Sequence, residues 1–178
     1  MDHNFSCEYG RVILRPLIRE DIESLRQLRN QPQIRKWFNY SKEISKEEQM
    51  KWFESYLLDQ TDYMFTVVLK SKPEQFIGTY AAYNFDIENK TIEVGRLMID
   101  SMNISERGLG FDVVSAAFKL VFENLPVDII TAEQFADNER ALRSNLQAGF
   151  KITSVKTREE REIIYLAITR DQYSVSTL

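Results

Sequence analysis

The chain has 178 residues, 43% apolar and 28% charged, with 23 Lys and Arg against 27 Asp and Glu, which suits one folded domain (1–178) with a real hydrophobic core. Its one histidine, His3, and one cysteine, Cys7, lie in a segment (1–9) expected to be loose, so a Cys/His metal site, a disulfide framework, a Ser-His-Asp triad and a Cys-His dyad are excluded from the folded body. No apolar run reaches the length of a membrane span, the start MDHNFSCEYG lacks a secretory signal, and the formal charge of -4 is opposite in sign to that of most nucleic-acid binders, so a cytoplasmic protein without metal, membrane or nucleic-acid partner is expected.

Arg11 to Leu14 reads as a first strand stopped at Pro16, which has no N–H for a ladder. Ile22, Leu25 and Leu28 recur at helical spacing among Arg and Glu, a first amphipathic helix that Pro32 ends. Ser45-Lys46-Glu47-Glu48 is a capping box that opens a second helix to about Leu58, with Met50, Phe53 and Leu57 inward. Tyr63 to Leu69 and Phe76 to Tyr83 are aromatic and β-branched strands joined by turn chemistry at Ser71-Lys72-Pro73-Glu74. A polar turn at Asp86 to Lys90 leads to a strand from Thr91 to Ile99. Next come a glycine-containing loop, Ser105-Glu106-Arg107-Gly108-Leu109-Gly110, and a helix to about Asn124. Asp128 to Gln134 reads as a strand, Asn138 to Ala148 as a helix with Gly149 as its left-handed cap, and Lys151 to Thr157 and Glu162 to Ile168 as the last strands. The order predicts an α/β fold (α+β in some schemes), with one mixed sheet of about seven strands and helices on both faces.

The stretch that carries chemistry is strand, Arg-Gly-Leu-Gly, helix. Glycine lets a ligand approach the backbone, and the first turn of a helix leaves its N–H groups unpaired. Such a loop is an anion site suited to a pyrophosphate, although a Gly-x-Gly before a helix is also ordinary turn geometry. It lacks the third glycine of a dinucleotide fingerprint and the Gly-Lys-Ser/Thr of a Walker loop. Further on, Phe135-Ala136-Asp137-Asn138-Glu139-Arg140-Ala141 runs from a strand end into a helix that closes with Gln147-Ala148-Gly149-Phe150.

These two motifs, in this order, resemble the GNAT superfamily of acetyl-CoA-dependent N-acetyltransferases over roughly residues 10–170. The resemblance implies acetyl-CoA as cosubstrate and direct transfer to a primary amine in a ternary complex. It implies that the backbone of Arg107, Gly108, Leu109, Gly110 and Phe111 cradles the pyrophosphate. Leu97, Met98 and Ile99 would offer backbone groups to pantetheine at a splay between two parallel strands, and Asn138 would hydrogen-bond the pantetheine arm. Two departures stand out. The family loop usually opens with Gln or Arg where this chain has Ser105, and the connection from Ile99 is one residue longer. Many members also carry a tyrosine as general acid at the place of Asn145, an amide that can hydrogen-bond but not give up a proton. Ser144 beside it is a weaker stand-in.

The acceptor amine arrives protonated and must lose a proton before attack. Glu93 is the candidate base, at a position where the family frequently has Glu; its alternative is a structural pairing with Arg96 or a sheet-edge role. Tyr80 and Tyr83, one strand over, either line the pocket and relay through water or are ordinary sheet aromatics.

Leu28-Arg29-Asn30-Gln31-Pro32-Gln33-Ile34-Arg35-Lys36-Trp37-Phe38, followed by Ile44-Ser45-Lys46-Glu47-Glu48-Gln49, is similar to the branch that acetylates 4-amino sugars on nucleotide carriers. Gln49 stands where that branch often has histidine. On this resemblance Arg29 or Arg35 suits a diphosphate, Asn30 an acceptor contact, and Trp37 or Phe38 stacking on a base. The alternative is that Arg29 and Asn30 cap the helix and Trp37 is core. A protein N-terminus, as in the ribosomal-protein acetyltransferases, and a polyamine are competing acceptors, so the partner is a small-molecule or peptide amine. A non-catalytic coenzyme A sensor stays open as a reading of another class, and so does the choice between monomer and homodimer.

Overall fold

The computed structural model describes residues 3–176. In chain order its elements are β1 (Cys7–Tyr9), β2 (Val12–Pro16), α1 (Ile22–Asn30), α2 (Pro32–Arg35), α3 (Lys46–Leu58), β3 (Tyr63–Leu69), β4 (Lys72–Asp86), β5 (Thr91–Ile99), α4 (Leu109–Asn124), β6 (Ile129–Phe135), α5 (Glu139–Ala148), β7 (Lys151–Arg158), β8 (Arg161–Thr169) and α6 (Arg170–Ser176). Eight strands form one sheet in the order β1-β2-β3-β4-β5-β6-β8-β7, one strand more than the sequence pattern suggests. Every neighbouring pair is antiparallel except β5 with β6.

Alternation along β3 sends side chains to two cores. Tyr63, Phe65, Val67 and Leu69 pack with the buried face of α4, including Val113, Ala117 and Val121. Met64, with Ala81 and Met98 from β4 and β5, packs with Leu25 and Leu28 of α1 and with Phe53 and Tyr56 of α3. Helices therefore cover both faces, as the element order implies. None of the described helices is long and apolar enough to cross a membrane.

The parallel pairing that joins the halves is short. β5 meets β6 only at Thr91 to Glu93 against Ile129 to Thr131. Beyond Glu93, β6 stays with β8 as far as Phe135, while β5 stays with β4. Between Thr79 and Ala81 of β4, β5 carries one extra residue, and Arg96 there takes a left-handed φ of 53°. The two strands part, and the sheet opens.

Several expectations need correction. Residues 3–9 are not loose, and Met1 and Asp2 lie outside the described residues. β1 pairs with β2, and His3, 8% exposed, sits with its ring 4.9 Å from that of Phe65 and with Nε2 3.2 Å from the Met64 carbonyl oxygen. The physical reason is the aromatic end of β3, whose Tyr63 and Phe65 the N-terminal segment covers with His3 and Phe5. The buried face of α3 is Gln49, Phe53 and Tyr56. Leu57 is 41% exposed and Met50 only partly buried, because the Tyr56 hydroxyl turns inward to accept the Met64 N–H. Pro32 opens the short α2 at its first position, a place that needs no N–H. The β3–β4 hairpin turns at Lys70 and Ser71, and β4 begins early enough to contain Pro73.

Candidate active site

Next to Leu97, at the edge of the opening, lies a stretch of backbone at the start of α4. Gly108 sits before α4 with φ +72°, a conformation open to glycine, and no side chain caps the helix start. The amides of Leu109, Gly110 and Phe111 consequently lack an intrahelical acceptor. Gly110 permits a close approach of α5: a Cβ there would overlap Ser144 Oγ. Arg107 turns its guanidinium back on its own loop, donating to the Ile104 carbonyl at 2.8 Å. Asn138 is the N-cap residue of α5, its Oδ1 accepting the Ala141 N–H at 3.3 Å. Its Nδ2 has no protein acceptor among the described residues.

The cleft between the parted strands measures about 180 Å³ and is lined by Gly95, Arg96 and Leu97 of β5, by residues 132–135 of β6, and by Asn138 and Asn145 of α5. That volume is below the few hundred Å³ of a typical small-molecule pocket. It suits the reacting ends of two ligands rather than either whole ligand. Met98 and Ile99 lie just beyond on β5, where pairing with β6 has ended and the Ile99 carbonyl accepts the Ser101 N–H at 2.8 Å. The Met98 side chain is buried in the α1–α3 core, so only its backbone could serve a ligand.

At the apex, where the strands separate, stand the candidate proton groups. Tyr83 and Glu93 are cross-strand partners. The Tyr83 hydroxyl donates to Glu93 Oε1 at 2.9 Å, and Asn84 Nδ2 donates to Oε2 at 3.0 Å. Tyr83 lines the cleft and Glu93 stands behind it. The hydroxyl lies over Gly95, where a Cβ would come within 2.9 Å of it. Burial, then the charge and hydrogen bond of Glu93, push the Tyr83 phenol far above its usual range, so it stays protonated. Arg96 does not pair with Glu93. Its guanidinium stacks 4.1 Å over the Tyr83 ring and binds Asp62 at 2.6 Å. Tyr80 also lines the cleft but is wholly buried, and burial raises its phenol further still.

On α5, Asn145 donates from Nδ2 to Gln134 Oε1 at 2.7 Å, at the cleft surface. Ser144 does not line the cleft. Its hydroxyl donates to the Arg140 carbonyl, one helical turn back, and its side chain packs against Gly110.

The opposite wall is side chain. Trp37 and Phe38 line it. Arg29 stands one layer behind: its guanidinium stacks 3.8 Å over the Phe38 ring and donates to the Tyr40 carbonyl. It is 7% exposed, and its Nη1 is buried without an acceptor. Burial and the like charge of Arg35 lower its pKa. Asn30 donates to the Ile44 carbonyl at 2.9 Å and accepts the Ile44 N–H at 2.8 Å. Neither residue caps α1; together they fasten the 36–44 segment. Arg35 is held by Glu43 at 3.2 Å.

Some cleft groups escape a reading of the sequence. Arg158 lines the far rim and binds Glu133 through both carboxylate oxygens, at 2.7 and 3.3 Å. Its only sequence signal is the charged turn Arg158-Glu159-Glu160-Arg161 between two strands. Gln134 carries no signal although its partners Asn138 and Asn145 are only 4 and 11 residues on, and Asp62, behind the cleft, carries none because Arg96 lies 34 residues on.

Residues 11–151 match the family model described as an acetyltransferase (GNAT) domain. The acetyltransferase PseH of Campylobacter jejuni (serotype O:23/36, strain 81-176) is 30% identical over 133 residues, covering 75% of this chain and 78% of that protein. Among solved structures, spermidine N-acetyltransferase from Vibrio cholerae, in complex with CoA and spermine, superposes with a TM-score of 0.83 at 18% identity, over 92% of this chain and 98% of that one. The aminoglycoside acetyltransferase AAC(6')-Ib in complex with coenzyme A gives 0.78 at 20% identity, over 94% and 99%. At those identities the two structures share the fold. With the family model spanning most of its length and the sheet parting next to a glycine-led helix start, the chain belongs to the GNAT family of acetyltransferases.

Proposed function

We propose that this enzyme moves the acetyl group of acetyl-CoA directly to a primary amine on an anionic small molecule, an amino sugar on a nucleotide carrier. The observation that supports this reading is the cleft, with Trp37 and Phe38 in its lining, the buried Arg29 guanidinium stacked behind Phe38, and the uncapped start of α4 next to Leu97 at its edge. Among the described residues, Arg29 is a buried cation with no carboxylate among its contacts, a costly arrangement that a nearby anion would relieve. Such a wall suits a phosphate-bearing acceptor better than a polycation. The 30% identity with PseH supports the same branch.

The residues present fit coenzyme A. The free amides of Leu109, Gly110 and Phe111 suit a pyrophosphate, the edge that β6 leaves open at Leu97, Met98 and Ile99 suits the amides of pantetheine, and Asn138 Nδ2 is a spare donor beside it. When bound, coenzyme A supplies the acetyl group as a thioester. Glu93 and Tyr83 manage the acceptor's proton: the Tyr83 hydroxyl, already donating to Glu93, accepts a proton from the ammonium as it passes its own to the carboxylate. Asn84 holds the second carboxylate oxygen and fixes its orientation. A thiol's ordinary pKa of about 8.5 makes its thiolate a tolerable leaving group, so Asn145 in place of a tyrosine is compatible with turnover. Its amide, tied to Gln134, orients that side of the cleft.

The test is a thiol-release assay with acetyl-CoA against a nucleotide-linked 4-amino sugar, spermidine and a peptide with a free N-terminus, with products identified by mass. The highest kcat/KM is expected for the nucleotide-linked amine. A higher value for spermidine or the peptide would reassign the acceptor, and saturable coenzyme A binding with no transfer to any amine would favour a sensor.

A further inference from the structure

We propose that Arg11, in the turn between β1 and β2, is a positioning residue for coenzyme A, which neutralises a carboxylate beside the pyrophosphate loop and turns two loop carbonyls away from the ligand. The inference rests on the reading that the pyrophosphate occupies the start of α4. Asp112 lies in the first turn of that helix and is 7% exposed. A carboxylate there favours the helix dipole but repels an anion held by the same amides. Arg11 meets it from the far end of the chain: Nε donates to Asp112 Oδ2 at 2.7 Å, and the Arg11 backbone N–H reaches the same oxygen at 3.3 Å.

The guanidinium does more than pair. Nη1 donates to the Arg107 carbonyl at 2.9 Å and Nη2 to the Gly108 carbonyl at 3.2 Å. In a trans peptide the C=O and the following N–H point in opposite directions. Holding these two carbonyls toward Arg11 therefore aims the N–H groups of Gly108 and Leu109 away from it, on the side left for the ligand. One planar fork with several donors serves the carboxylate and both carbonyls, which a lysine ammonium cannot match in geometry. The turn is shaped for this contact. Gly10 has φ +51°, and a Cβ there would come within 2.8 Å of the Asp112 carboxylate. Arg11 stands 96 residues before Arg107, outside both sequence motifs.

The test is titration calorimetry of coenzyme A with the wild type, Arg11→Ala, Arg11→Lys and the double variant Arg11→Ala/Asp112→Asn, with thermal unfolding of each to establish that it is folded. Arg11→Ala is expected to bind about tenfold more weakly. The double variant, which removes the uncompensated charge, should recover to within about threefold of the wild type, and Arg11→Lys should fall between. In steady state the KM for acetyl-CoA should rise while kcat and the acceptor KM hold. Arg11→Ala binding within twofold of the wild type would overturn the proposal, and a double variant as weak as Arg11→Ala would overturn its charge-compensating half. If Arg11→Ala does not fold, Arg11→Lys decides: weaker binding supports the role, and wild-type binding removes it. Failure of the wild type itself to bind coenzyme A would be a distinct result, removing the pyrophosphate reading on which the proposal stands.

Discussion

On the side proposed for coenzyme A, the groups on offer are main-chain amides at the start of α4 and the edge of β5 that β6 leaves open. On the acceptor side they are side chains, brought together from α1, the 36–44 segment, β4 and the β7–β8 hairpin. Backbone donors are placed by local conformation, so a left-handed glycine and an uncapped helix start suffice to build them. A wall of side chains needs distant elements to pack correctly, as where Arg29 stacks on Phe38 and Asn30 fastens Ile44. The α4 end thus rests on local backbone geometry, and the other end on long-range packing.

Substitutions can separate the two walls. The largest effect is expected at Gly110, where a branched side chain must displace Ser144 or part α4 from α5. Gly110→Val should weaken coenzyme A binding at least about 100-fold, or about 2.7 kcal/mol, in a titration. Binding within a few-fold of the wild type would show that the loop is not where the coenzyme sits. Next is Arg29→Met, which keeps an unbranched apolar side chain beside Phe38 and removes the charge and the hydrogen bond to the Tyr40 carbonyl. It should raise the acceptor KM about tenfold and leave the KM for acetyl-CoA unchanged, since distant sites behave nearly additively. A shift in the coenzyme KM instead would mean that the walls are not independent. Smallest is Ser144→Ala. With its hydroxyl committed to the Arg140 carbonyl, the loss should change kcat less than about twofold. A fall of about tenfold or more would restore Ser144 as a proton donor to the thiolate.

The same contrast governs what could be read from the sequence. Features decided within a few residues are legible: the Ser45 capping box forms with both its hydrogen bonds, at 3.1 and 2.7 Å, and Gly149 closes α5 at φ +114°. The strand and helix order is legible too, because the apolar periods follow the chain. Features decided by distant contacts are not. β1 is three residues long, and its place depends on His3 and Phe5 covering Tyr63 and Phe65 some sixty residues on. The inward face of α3 depends on Tyr56 reaching Met64. Asn30 reads as an acceptor contact until Ile44 is seen to occupy both ends of its amide. Arg96, an expected partner for Glu93, is redirected by the β5 bulge toward Asp62.

The two walls meet at Tyr83 and Glu93, and the most direct test of the account is the pH dependence of kcat/KM for the acceptor in the wild type and in Glu93→Gln. With the carboxylate in place, the wild type should reach a plateau below the pH at which the free amine loses its proton. The Tyr83 phenol, held protonated by burial and by Glu93, should add no alkaline loss in the range of the assay. Without the carboxylate the enzyme must wait for amine already deprotonated in solution. Glu93→Gln should then be slower by about 100-fold near neutrality. Its rate should also climb about tenfold per pH unit where the wild type has levelled, with the KM for acetyl-CoA unchanged. A Glu93→Gln enzyme with the wild-type rate and the wild-type profile would contradict the account.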